Sequence, residues 1–111
     1  MSTPERNFRD RLVAWLKQLP RTVVFSIQQV SIRGTADLIC CINGKFVSIE
    51  VKASEDAQIS ALQRYNLEKV VAVGGGIALI ISPEGFKKAQ VFLSELATGG
   101  ATKAPDGTIF N

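Results

Sequence analysis

The sequence predicts an α/β domain with a mixed sheet, and three observations carry the prediction. Asn43-Gly44 stands between two strand-like apolar runs, the strongest short hairpin signal, because a type I′ turn needs positive φ at both positions. Apolar residues at helical spacing lie on both sides of that hairpin. A short run, "IALIIS", then follows the second helical segment, so the last strand arrives by a crossover helix. With 111 residues, of which 46% are hydrophobic and 21% charged, the chain has the balance of one globular domain.

The first helix starts at Ser2 or Thr3 as cap with Pro4 in its opening turn. Phe8, Leu12, Trp15, Leu16 and Leu19 form its apolar stripe, and Pro20 stops it. Arg6, Arg9, Asp10 and Lys17 occupy the other face. "TVVFSIQQV" is β-branched and aromatic enough for a strand, and "SIRG" leads into the hairpin strands "ADLICCI" and "KFVSIEVK". "ASEDAQIS" is turn-like. A second helix is expected over 57–73, with Ile59, Leu62, Val70 and Val73 on one stripe and polar Gln63 and Asn66 in the middle of it. Gly74 to Gly76 terminate that helix; they lack the lysine and hydroxyl residue of a phosphate-cradling loop and do not follow a strand. Pro83 opens a last helix that ends near Ala97. Residues 1–98 read as the domain and 99–111 as a loosely ordered, glycine-rich tail.

Composition narrows the chemistry. The chain has no histidine, which excludes histidine triads and most zinc sites. Adjacent Cys40 and Cys41 point to opposite faces of a strand and cannot bridge each other; both read as buried free thiols. That usage, with no leader-like N-terminus, points to a reducing, cytoplasmic setting. No apolar run approaches the roughly 20 residues of a membrane span. A net charge of +3 is compatible with a nucleic-acid partner without requiring one.

The hairpin carries charges where core residues are expected. With a two-residue loop, Ile42 faces Lys45, and stepping outward along the ladder brings Asp37 opposite Glu50. The pair falls in the non-hydrogen-bonded class, with Cβ atoms about 4.5–5.5 Å apart, and Lys52 shares their face with Ile39, Cys41 and Phe46. Opposed like charges destabilise a sheet, and a divalent cation would supply the missing counter-charge. Val51, whose side chain points away, can still offer its carbonyl as a ligand. The plainer alternative is that Lys52 pairs with Glu50 or Asp37 on a solvated sheet face.

"TADLI…SIEVK" resembles the PD-(D/E)XK nuclease signature, with Asp37 in the first acidic place and Glu50-Val51-Lys52 as (D/E)XK. Within that superfamily the chain is similar to the VRR-NUC group of small phage and bacterial nucleases. The likeness runs from Glu5, Phe8, Arg9, Leu12 and Leu16 through "RGTADLI" and "GKFVSIEVK" to "ISALQ" and "VGGGIALIIS", roughly residues 5 to 82. Ala36 and Ala61 stand where the group usually has proline.

The resemblance implies a restriction-endonuclease-like αβββαβ core with a mixed central sheet and a C-terminal helix. It implies a Mg²⁺- or Mn²⁺-dependent DNA endonuclease, similar to Holliday-junction resolvases and plausible as a homodimer, in a bacterial or phage-infected cytoplasm. Asp37 and Glu50 would bind metal with Glu5 and the Val51 carbonyl, Lys52 would assist the attacking water, and Gln63 would support the site. Glu5 also fits a capping box with Ser2, and Gln63 also fits a structural hydrogen bond to the sheet. Arg33, Gly34, Ser60 and Arg64 are the candidate DNA contacts. The competing expectation, from a different class, is a catalytically inactive DNA-binding or subunit-interaction module that retains the fold.

Overall fold

The computed structural model describes residues 3–27, 37–54, 56–100 and the backbone of 109–110. Its elements are α1 (Pro4–Leu16), β1 (Thr22–Ser26), β2 (Leu38–Ile42), β3 (Lys45–Val51), α2 (Ala61–Ala72), β4 (Ile77–Ile81), a single 3₁₀ turn at Pro83–Gly85, α3 (Phe86–Ala97) and β5 (Ile109–Phe110). The protein is thus a mixed α/β domain with three helices, in the expected order. Strand order is β1-β2-β3-β4-β5. The first three strands are antiparallel, and β4 lies parallel to β3, reached through α2. Ile109 and Phe110 add a short parallel strand beside β4, in a tail whose glycine-rich composition suggested none.

Local chemistry explains the elements that matter most for the site. Thr3, not Ser2, caps α1: its hydroxyl accepts the Arg6 N–H at 3.1 Å, and Pro4 occupies the first turn, where its missing N–H costs nothing. At the hairpin, Asn43 (φ 49°) and Gly44 (φ 79°) adopt the left-handed pair that a type I′ turn requires. The turn is braced from outside, since Arg21 donates to Asn43 Oδ1 at 3.1 Å and the Asn43 N–H donates to the Arg21 carbonyl at 2.8 Å. The resulting register pairs Ile42 with Lys45 and Leu38 with Ile49. One further step along this ladder sets Asp37 against Glu50.

α1 and α3 cover one face of the sheet. Phe8, Leu12 and Leu16 from α1 meet Leu38, Ile49 and Leu79 from the sheet and Leu93 and Leu96 from α3. Each such fully buried side chain contributes roughly 1.5–3 kcal/mol. α2 covers the other face over β4, where Leu67, Val70 and Ile59 pack on Ala78 and Ile80, and reaches β3 through Gln63. Part of the expected stripe is corrected: Leu62 and Val73 are exposed, whereas Gln63, Asn66 and Val70 turn to the sheet as expected, with Leu67 beside them.

Beyond α2, the same sheet face is open over β1 and β2. Val23, Phe25, Cys41 and Phe46 are exposed there. The two thiols therefore differ, contrary to the expectation that both are buried. Cys40 lies in the core, where burial and then the neighbouring Cys41 push its thiol up to about 12, whereas Cys41 faces outward because no helix among the described residues covers its side of β2.

Candidate active site

The carboxylates meet at the end of the sheet where parallel β3 and β4 finish, a common place for ligands in α/β proteins. A cleft of about 220 Å³ opens there, lined among others by Glu5, Asp37, Glu50, Val51, Lys52 and Gln63. These are the six residues that the sequence proposes as catalytic or metal-binding, drawn from α1, the hairpin and α2.

Asp37 immediately precedes β2, and its backbone carbonyl accepts the Ile27 N–H at 2.8 Å, so its position is set by the β1–β2 pairing. Both of its side-chain oxygens are engaged. Oδ2 accepts the Val51 N–H at 2.9 Å, and Oδ1 lies 3.6 Å from Arg9 Nη1. The Val51 main chain thus reaches Asp37 through its N–H in this arrangement, while its side chain stays in the core.

Glu50 is only 5% exposed. Its Oε1 accepts a 2.7 Å hydrogen bond from Gln63 Nε2, while Oε2 is buried and meets no partner at good hydrogen-bond geometry among the described residues; Asp37 lies close enough for a protonated Glu50 to donate to its carboxylate. A buried carboxylate with one bare oxygen is costly. Burial first, then the charge of Asp37 and a hydrogen bond to its side chain, then the charge of Glu5, push the Glu50 carboxyl up to about 8, against a smaller downward pull from the Asp37 backbone. In the metal-free protein, Glu50 therefore keeps its proton to higher pH than an ordinary carboxyl does. A cation delivered to the cleft would remove the need for it.

Gln63 is fixed at both ends of its amide. Oε1 accepts the Ser60 N–H at 2.8 Å while the Ser60 hydroxyl accepts the Gln63 N–H at 3.0 Å, a reciprocal capping box that starts α2. With Oε1 committed to the cap, Nε2 points at Glu50. The structural hydrogen bond to the sheet considered for Gln63 is therefore present. Lys52 continues β3, donating its N–H to the Ile81 carbonyl at 2.9 Å. Only 9% exposed, it does not lie on a solvated sheet face.

Glu5 is the second residue of α1 and half-buried beside the cleft. Because Thr3 is the cap, Glu5 is displaced from the capping-box position that a Ser2 cap would have given it. Among the described residues, no three His, Cys, Asp or Glu side chains converge into a ready metal-ligand cluster, so Glu5 lines the cleft without completing a triad. The available donors are nevertheless hard oxygens, among them the carboxylates of Glu5, Asp37 and Glu50, the last with one oxygen orphaned, and that chemistry suits Mg²⁺ or Mn²⁺.

Of the proposed DNA contacts, Ser60 spends its hydroxyl on the cap, and Arg64 is exposed on α2 outside the cleft lining. Arg33 and Gly34 lie outside the described residues, as does Ala36. Arg9, part of the family likeness but assigned no role and placed on the outer face of α1, reaches Asp37 instead. Its signal was its spacing: Arg9 follows Glu5 by four residues and so shares its face of the helix.

Comparison with protein-family models, curated proteins and solved structures returns no match to this chain.

Proposed function

We propose that the protein is a Mg²⁺- or Mn²⁺-dependent DNA endonuclease of the PD-(D/E)XK type, with a restriction-endonuclease-like core and a VRR-NUC-like site. The observation that carries this reading is the buried Glu50, with Oε2 bare, in one cleft with Asp37 and Lys52. Asp37 and Glu50 would hold the cation through carboxylate oxygens, helped by Glu5 and the Val51 carbonyl. When bound, the ion supplies Lewis-acid polarisation of a phosphate and a coordinated water of lowered pKa.

The chain's own groups do the rest. Gln63 holds the Glu50 carboxyl in place from α2, so that the carboxyl does not have to be ordered when substrate arrives. Lys52 orients the attacking water and neutralises charge that develops on the phosphate oxygens. The reaction is phosphodiester hydrolysis: a water oxygen bonds to phosphorus, the P–O bond to the leaving sugar breaks, and the leaving alkoxide takes up a proton. A symmetric homodimer would place two such sites on two strands of branched DNA, which one domain of this size grips poorly.

The test is cleavage of branched, flapped and linear DNA in Mg²⁺, Mn²⁺ or EDTA by the wild type and by Asp37→Asn and Lys52→Ala. Cation-dependent nicking that both substitutions abolish is expected. DNA binding without cleavage, indifferent to EDTA and to Lys52→Ala, would establish the inactive binding module instead.

A further inference from the structure

Arg9 does not itself line the cleft, but it reaches Asp37, which does. Its side chain is 22% exposed, and its guanidinium faces Asp37, itself 19% exposed, at the edge of the cleft. The two contacts on Asp37 differ in kind. The Val51 N–H at Oδ2 is part of the β3 main chain and cannot withdraw unless the sheet opens. The guanidinium at Oδ1 sits on a long side chain from another element, at 3.6 Å, beyond the roughly 2.7–2.9 Å of a charge-assisted hydrogen bond. Of the two, Arg9 is the contact that can yield. A divalent ion on Asp37 would lie within a few ångströms of this guanidinium, where like charges in a partly desolvated cleft repel strongly.

We propose that Arg9 is a positioning residue that stands in for the metal, its guanidinium neutralising Asp37 and holding it toward the cleft until a divalent cation displaces it. The inference rests on the metal-site reading above and adds a competitor to it. Arg9 keeps the site folded without metal and sets how tightly the cation is held. Two consequences are separable. A neutral residue at position 9 weakens the metal-free fold, because Asp37 loses its counter-charge, and at the same time strengthens cation binding, because the competing charge is gone. A purely structural arginine would do the first without the second.

The experiment measures uptake of Mn²⁺ alone, by calorimetry and by the electron paramagnetic resonance signal of free Mn²⁺. The proteins are the wild type, Arg9→Gln, Arg9→Met, Arg9→Lys and Asp37→Asn, each with thermal melts in EDTA. Both neutral variants are expected to bind Mn²⁺ at least about fivefold more tightly than wild type, with Arg9→Lys staying within about twofold of it. Asp37→Asn should remove the uptake. Binding left unchanged or weakened in both neutral variants overturns the inference while leaving the metal site standing. No uptake by the wild type or any Arg9 variant overturns the metal-site reading and this inference together. Neutral variants that unfold in EDTA and are not refolded by Mn²⁺ make Arg9 a structural residue and also overturn it.

Discussion

Replacing Glu50 by glutamine tests the buried carboxyl without changing its shape. Folded Glu50 is pushed up to about 8 from an ordinary 4.5. The sign follows from proton counting. Between these two values the folded chain holds a proton at Glu50 that the unfolded chain has released, so stability falls as pH rises, by about 1.4 kcal/mol per pH unit. The favourable contribution is fully present below 4.5 and is lost as pH passes through about 8, after which the folded state carries an ionised, half-bare carboxylate. Integrated over that window, the cost is on the order of 4–5 kcal/mol, a large part of the 5–15 kcal/mol of a typical domain.

Glu50→Gln accepts from Gln63 as the acid does and offers an N–H toward Asp37, but it does not titrate. The stability difference between variant and wild type should therefore widen in the variant's favour by about 4–5 kcal/mol between pH 4.5 and pH 9, read from urea melts in EDTA. Added Mg²⁺ should recover part of the wild-type loss at high pH, about 2.7 kcal/mol at a hundredfold excess over the dissociation constant, and should not recover the variant. Parallel pH curves for the two proteins would refute the burial argument. A gap that widens toward acid would mean that Glu50 is stabilised as an anion, and that the bare Oε2 has a partner at neutral pH.

Three further outcomes follow from the same geometry. Gln63→Leu removes both the capping return to Ser60 and the donor to Glu50, and should cost about 1.5–3 kcal/mol in urea unfolding, with lower helical circular dichroism if α2 frays. Ala61→Pro should stabilise the fold by about 0.4–1 kcal/mol in the same assay, because Ala61 is the first residue of α2, where proline loses no hydrogen bond. In native protein a thiol reagent should label Cys41 quickly and Cys40 only after unfolding; equal rates would show that β2 is not packed as described.

The hairpin was legible because its turn is a local object. Asn43-Gly44 dictates the register by itself, and the register alone brings Asp37 to Glu50. The stripe of α1 was legible for a similar reason, since Phe8, Leu12 and Leu16 repeat at helical spacing and bury together. The open half of the outer sheet face was not. Strand alternation says that Cys40 and Cys41 face opposite ways, but only tertiary structure says that α2 covers β4 and leaves β2 bare on that side. The pairing of Ile109 and Phe110 with β4 is too short to leave a periodic signal in its segment.

The remaining two departures share one place and one cause. Periodicity assigned Leu62 and Val73 to the inner face of α2 and Arg9 to the outer face of α1 on the assumption that burial selects apolar residues. Around the cleft, burial instead selects donors and charges. Turning Gln63 inward exposes Leu62 and gives Glu50 its hydrogen bond; turning Arg9 inward places a cation beside Asp37. Two carboxyls forced together by a hairpin register cannot be left to apolar neighbours, because an unpaired buried charge costs more than an exposed leucine gains by burial. The helices on either side of the sheet end are thus oriented in part by the needs of Asp37 and Glu50. The failures of the amphipathic pattern at Gln63 and Arg9 mark the cleft as directly as the carboxylates do.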